Sequence, residues 1–227
     1  MAIYAISDLH LSLGTDKPMD IFGSHWEDYE NKLRENWRRL VQDDDIVLIN
    51  GDVSWAMYLQ NIYEDFAYIN ALTGKKILSK GNHDYWWTTH KSQSDYCASN
   101  GFTTINFLQN NHYMVGDIAI CGTRGWALTK NNDEDKKIHN RELERLKLSL
   151  SSAEKDSPRE IIAALHYPPD RAFKEILTNH RVSTCVYGHL HGNSYRHDGY
   201  TKDEIIDGVS YRLVSCDYLN FTPLKIN

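Results

Sequence analysis

The 227-residue chain has no apolar run near the ~20 residues that a membrane span requires. Its longest apolar pieces, such as Ala2–Ile6 and Ile161–Leu165, are short. The N-terminus lacks a basic region followed by a long apolar one, which argues against a secretory signal. Cys97, Cys121, Cys185 and Cys216 stand singly, with no Cys-x-x-Cys. That spacing argues against a zinc ribbon or a dithiol redox motif, and reduced thiols in a cytoplasm are the default expectation. Positive charge is also scarce: 25 Lys and Arg against 31 Asp and Glu leave a net charge of −6. Duplex binding favours a basic face, so a broad nucleic-acid footprint is not expected, although a local groove near Arg34–Arg39 or Lys136–Lys137 stays open. Internal repeats and low-complexity tracts are missing too. What is present is an ordinary globular balance, 41% hydrophobic and 25% charged, which excludes a wholly disordered chain. The length allows one large or two small domains. The most linker-like stretch, Lys130–Lys137, leads into a helix rather than between two cores, so a single domain over residues 1–227 is expected.

Short β-rich runs alternate with helix-like stretches. The runs are Ile3–Ser7, Ile46–Asn50, Lys76–Ser79, Ile118–Cys121, Ile161–Leu165, Thr184–Tyr187 and Tyr211–Ser215. Within Trp26–Val41, the residues Tyr29, Leu33, Trp37 and Leu40 recur at steps of a helical face. Ile62–Leu72 and Ile138–Leu150 follow the same pattern. Alternating strand and helix predicts an α/β architecture with substantially parallel strands. Asp207-Gly208 between apolar stretches predicts an antiparallel hairpin near Glu204–Ser215, and hence a mixed sheet or two sheets.

Five of the runs end in a metal-ligand residue type. The endings are Asp8-Leu9-His10, Gly51-Asp52, Gly81-Asn82-His83-Asp84, His166 and Gly188-His189-Leu190-His191. One such ending is ordinary turn chemistry; five in one chain point to a shared site. In an open α/β sheet, ligands bind beyond the carboxyl ends of the strands, so five strands in one sheet would bring these residues together. In extended chain, residues i and i+2 face the same way, which lets Asp8 with His10, and His189 with His191, reach one place. Carboxylate, amide and imidazole donors without thiolate suit Mn, Fe or Zn. Even seven of these donors exceed one tetrahedral ion but fit two ions sharing a carboxylate.

In order and spacing these motifs resemble those of the calcineurin-like metallophosphoesterases, over residues 8 to 191. The resemblance implies a four-layer αββα sandwich of two mixed β-sheets with a binuclear centre at the strand ends. It implies that Asp8, His10, Asp52 and His191 hold one metal, that Asp52, Asn82, His166 and His189 hold the other, and that Asp52 bridges. His83 would face the substrate. Such a pair of cations, roughly 3.5–4 Å apart, clamps a phosphate and supplies a bridging hydroxide, while His83 acts as general acid toward the leaving group. Asp84 either orients His83 or is a surface or capping residue after the loop.

The second Asp and the Arg that follow Gly-Asp in the protein-phosphatase branch are missing: here the stretch is Gly51-Asp52-Val53-Ser54-Trp55-Ala56. A close relative of the Ser/Thr protein phosphatases is therefore not expected. Arg124 is a candidate phosphate anchor, the alternative being a structural salt bridge at a strand end. Trp55, Trp86, Trp87 and Trp126 lie near the site loops, either walling a pocket or packing the loops down; Trp26 and Trp37 fit a helix core. Tyr167-Pro168-Pro169 reads as a rigid exit that holds His166. His25, His90, His112, His139, His180 and His197 are expected in surface or structural roles. The function expected is metal-dependent hydrolysis of a phosphomonoester or phosphodiester, with a small phosphorylated substrate and no membrane partner. A nuclease acting on nucleic acid is the alternative, and a non-catalytic scaffold a more distant one.

Overall fold

The computed structural model describes residues 1–128, 132–192 and 203–227. Two sheets carry the fold. The first has the order β11-β1-β2-β3-β4, where β1 is Ile3–Ile6, β2 Ile46–Asn50, β3 Lys75–Ser79, β4 Ile105–Phe107 and β11 Leu224–Lys225. The second has the order β5-β6-β7-β8-β10-β9, where β5 is Tyr113–Val115, β6 Ile118–Thr123, β7 Glu160–Leu165, β8 Thr184–Tyr187, β9 Asp203–Ile206 and β10 Val209–Leu213. β1 to β4 pair in parallel, as do β6 to β8 and β10, while β11, β5 and β9 pair antiparallel at the margins. Both sheets are therefore mixed. Among the described residues no helix is long and apolar enough to cross a membrane.

The uninterrupted apolar runs follow from burial on both faces. Ile3, Ala5, Ile46 and Leu48 face the second sheet and meet Ile118, Ile120, Ile162 and Ala164. Their neighbours Tyr4, Ile6, Val47 and Ile49 face outward beneath α1 (Tyr29–Leu40), α2 (Tyr63–Ala71) and α3 (His90–Asn100). On the far side Ala119, Ile161, Ala163 and Leu165 pack under α4 (Asp133–Glu154) and α5 (Arg171–Asn179). The layers are helix, sheet, sheet, helix, the αββα sandwich expected.

The seven anticipated strands are all present, and the hairpin turns at Asp207 and Gly208, which have φ of 51° and 83°. Positive φ at both central residues is the turn geometry that matches strand twist. α4 begins earlier than its apolar pattern because Asn132 caps it, accepting from the Asp135 N–H, and acidic residues fill the first turn. α3 escapes the pattern because its buried face offers only Gln93 and Cys97. α5 starts where Asp170 accepts from the Ala172 and Phe173 N–H groups. Part of the linker-like Lys130–Lys137 stretch, and His197, lie outside the described residues.

The five ligand-bearing strands divide between the two sheets: β1, β2 and β3 lie in the first, β7 and β8 in the second. Their carboxyl ends meet because the sheets are stacked. Asn50, at the end of β2, stitches them there, its side-chain amide donating to the carbonyls of Leu165 and, at 3.1 Å, Val186.

Candidate metal centre

At the meeting point of the two sheets the side chains form two donor groups. Asp8, His10 and His191 make one; Asp52, His166 and His189 make the other, with ligand atoms in each group within 4.8 Å of one another. In the first, His191 Nε2 lies 3.3 Å from Asp8 Oδ1 and 3.3 Å from His10 Nε2. In the second, His166 Nε2 lies 2.8 Å from Asn82 Oδ1 and 3.4 Å from Asp52 Oδ2. The same Asp52 oxygen is 3.9 Å from His10 Nε2, so this carboxylate stands between the groups.

Backbone conformation brings this about. Asp8, His10, Asp52 and His189 have φ of 60°, 47°, 49° and 71°, the left-handed region that non-glycine residues occupy at a cost of about 1–2 kcal/mol each. Such strain persists where surrounding structure over-determines it, typically at functional sites. Asp8 and His10 enter one group, while His189 and His191 enter different ones. Gly51 has φ +90°, and a Cβ there would meet His166 Nδ1 at 2.6 Å and the Gly81 Cα at 2.8 Å. Glycine lets these loops approach closely enough to bring Asp52 beside His166.

The charges are strongly coupled. Burial alone would raise the Asp8 carboxyl, but His191, His166 and His10 together hold it well below the usual carboxylate range. Asp52 is likewise opposed by burial but brought down to about 2 by His166. Burial depresses His10 and His189 to about 4, whereas Asp8 and Asp217 lift His191 to about 10 against the effect of burial. His166 rises against burial to about 9 beside Asp52 and Asp8.

The donor set fits cations. A ligating imidazole characteristically gives its other N–H to a carbonyl or carboxylate behind it. His166 Nδ1 faces the Asn50 carbonyl at 3.1 Å, and His191 Nδ1 faces Asp217 Oδ1 at 3.0 Å. Both rings thereby turn Nε2 toward the carboxylates.

Three supporting residues were not anticipated from the sequence. Asp217 also accepts from the Gly192 N–H at 2.9 Å. Ser7 and Ser215 donate their hydroxyls to Asp8 Oδ2, the latter at 3.0 Å. Asp217 was findable, since it follows the run Tyr211–Ser215 as the other ligand types follow theirs. The serines carry no such signal.

His83 N donates to Asp52 Oδ1 at 2.8 Å, and its ring packs against Trp55 with centroids 4.7 Å apart. Burial lowers its pKa. Asp84 does not orient it, nor is it a surface residue. Wholly buried, Asp84 accepts from the backbone N–H groups of Asp52, Val53 and Gly81 at 2.7–2.9 Å, and from Trp86 Nε1 at 3.0 Å. Its oxygens are committed to tying the two ligand loops together, and burial with the neighbouring Asp52 charge raises it to about 6.

Arg124 is also corrected. Its guanidinium turns to Glu142, with Nη2 3.6 Å from Oε1. Glu142 is completely buried, and Thr123 and Arg145 bond it as well, at 2.5 and 2.6 Å. A buried carboxylate needs such partners, so the structural salt bridge is the arrangement observed. Trp86 and Trp87 are buried packing residues, whereas Trp55 stacks on His10 at 4.8 Å. The Tyr167 ring closes on His189 at 4.3 Å. His139 is buried against Asp170 at 2.7 Å, and His112 and His180 pair with Asp156 and Glu154.

The family model for calcineurin-like phosphoesterases matches residues 1–193. The chain belongs to that family, a metal-dependent phosphoesterase class. Among curated proteins no sequence matches. Among solved structures, the fold is similar to that of TT1561 of Thermus thermophilus, at 9% identity and a TM-score of 0.61 over 99% of this chain and 97% of that one. It is similar to AQ665, a protein of unknown function from Aquifex aeolicus, at 17% identity and 0.51 over 99% and 95%. The Thermus thermophilus sulfate thiohydrolase SoxB, in complex with glycerol, matches at 12% and 0.52, over 95% of this chain and 52% of that one.

Proposed function

We propose that this phosphoesterase, acting as a single domain, hydrolyses a small phosphoric ester at a centre of two cations. Asp8, His10, Asp52 and His191 would hold one, and Asp52, Asn82, His166 and His189 the other. The observation that carries this reading is the position of Asp52 Oδ2, between His166 Nε2 and His10 Nε2. When bound, such cations supply Lewis acidity toward phosphate and lower the pKa of water to near neutrality. The protein's share is orientation. Asn50 and Asp217 fix the tautomers of His166 and His191 from behind, Asp84 fixes the Asp52 and Asn82 loops relative to each other, and Asp52 Oδ1 anchors the His83 backbone. His83 then delivers a proton to the leaving oxygen. The donor set suits Mn, Fe or Zn. A cytoplasmic location suits four buried, free thiols.

The test uses metal-stripped protein reloaded with Mn²⁺, assayed on a nitrophenyl phosphomonoester and on the bis-nitrophenyl diester. Turnover that chelator abolishes is expected, together with about two bound ions per chain by elemental analysis. His83→Ala should lower kcat by about 10²–10⁴-fold while ion content stays constant. No bound ion and no metal-dependent rate would overturn the reading in favour of a scaffold. The ratio of diester to monoester rates assigns the ester class.

A further inference from the structure

Beside the first donor group lies a pocket of about 410 Å³, within the range of small-molecule sites. His10, His83, His191 and Asp217 line it on the side of the donor group; Met19, Phe22, His25, Trp26 and Trp55 line the rest. Two features set it apart from a simple phosphate cleft. First, the wall away from the donor group is mostly aromatic, with His25 among its rings, whereas a phosphate needs only charge. Phe22 is 56% exposed, a large apolar ring left facing solvent at the mouth. Second, His83 is itself a lining residue. A group that protonates the leaving oxygen must stand beside it, so the departing alcohol, rather than the phosphoryl group, is what this pocket receives.

The walls are flat. The Trp26 indole meets the His10 ring at 67° and 6.3 Å, and the Trp55 indole lies nearly parallel to His10 at 21°. Aromatic faces and edges of this kind favour a planar ring by offset and edge-to-face contact. A flexible alkyl chain gains no such contact. Lys17 Nζ sits 3.5 Å from the Trp55 ring centroid, placing a cation at the same wall.

Resting on the hydrolase reading above, we propose that the pocket between Phe22, Trp26 and Trp55 binds a planar aromatic ring on the alcohol of the ester. The substrate is thus a phosphoester of a nucleoside or of another aryl-bearing alcohol.

The experiment compares alcohols of matched reactivity on the Mn²⁺-loaded, full-length protein. Adenosine 5′-phosphate is set against ribose 5-phosphate, and benzyl phosphate against ethyl and hexyl phosphates. Each is tested as monoester and as methyl diester. Binding of each is measured in parallel by quenching of indole fluorescence. The ring-bearing member of each pair should show kcat/KM and affinity about tenfold or more higher, the gain from burying an aromatic ring. Phe22→Ala should shrink that ratio about threefold or more through KM. Preference in both series supports aromatic recognition in general. Preference in the nucleotide pair alone supports the nucleoside. Equal rates and affinities within each pair, or hexyl phosphate matching benzyl phosphate, would overturn the pocket assignment and leave the hydrolase reading intact. Turnover of none of the esters would fail the hydrolase reading, and the binding ratios would still decide the pocket.

Discussion

The two donor groups are built from the same residue types and live in different surroundings. The group of Asp8, His10 and His191 opens onto the aromatic pocket, and His191 is oriented from behind by a carboxylate, Asp217. The group of Asp52, His166 and His189 is buried to the same degree, but the Tyr167 ring, rather than the aromatic pocket, lies against its His189. His166 is wholly buried, and what orients it is a backbone carbonyl, that of Asn50. The first group is thus backed at His191 by a side chain that substitution can change. The second is backed at His166 by main chain and at the Asp52 loop by the Asp84 carboxylate.

The strongest way to break the contrast is Asp52→Asn, because that carboxylate stands between both groups. Turnover should fall by about 10³-fold or more, and bound metal should drop at both positions, read by elemental analysis. Retention of both ions with normal kcat would remove Asp52 from the centre. Asp84→Ala comes next. It strands the N–H groups of Asp52, Val53 and Gly81, and should cost about 3 kcal/mol, lowering Tm by about 6–12 °C in a chain of this size. A calorimetric Tm within a degree of wild type would show that these loops need no such brace. Asp217→Asn sharpens the comparison itself. It should weaken metal affinity about 10–100-fold at the first group only, visible as one of two binding steps shifting in a Mn²⁺ titration. Equal weakening of both steps would mean that the groups are not separable.

The smallest effect concerns Asp65, which links a loop from each group by accepting from the Leu13 N–H, beyond His10, and from the Ser54 hydroxyl, beyond Asp52. Burial raises its carboxyl to about 6 from 3.8. The folded state thus binds more protons than the unfolded state between those values, so this group's contribution falls as pH rises through that window. Asp65→Asn removes that cost. It should stabilise by about 1–2 kcal/mol at pH 7–8 and by little near pH 4, measured by urea unfolding at both. Equal gains at the two pH values would mean that the charge is not the cause.

The core strands and the ligand residues were legible because burial on both faces writes unbroken apolar runs, and because a strand end followed by Asp or His is visible in one dimension. How the strands divide between two sheets was not visible in their hydropathy; the hairpin signal left one mixed sheet or two open, and the family resemblance favoured two. α3 was hidden because a helix burying Gln93 and Cys97 writes no apolar stripe. Asp84 and Arg124 each kept two open readings for one reason: sequence proximity to a site says nothing of which way a side chain turns. Asp84 turned to the amides of its own loops and Arg124 to the buried Glu142. The left-handed turn at His189 was equally silent, since histidine carries no local signature for positive φ.

Asp8, His10 and Asp52 hang from the first sheet, whereas His166, His189 and His191 hang from the second. Neither donor group can exist in half a sandwich. On a growing polypeptide, neither is complete until about residue 190 has emerged and the sheets have docked. An ion bound by all three donors of a group would bind only the docked sandwich, so its binding free energy would count toward the docking of the two sheets.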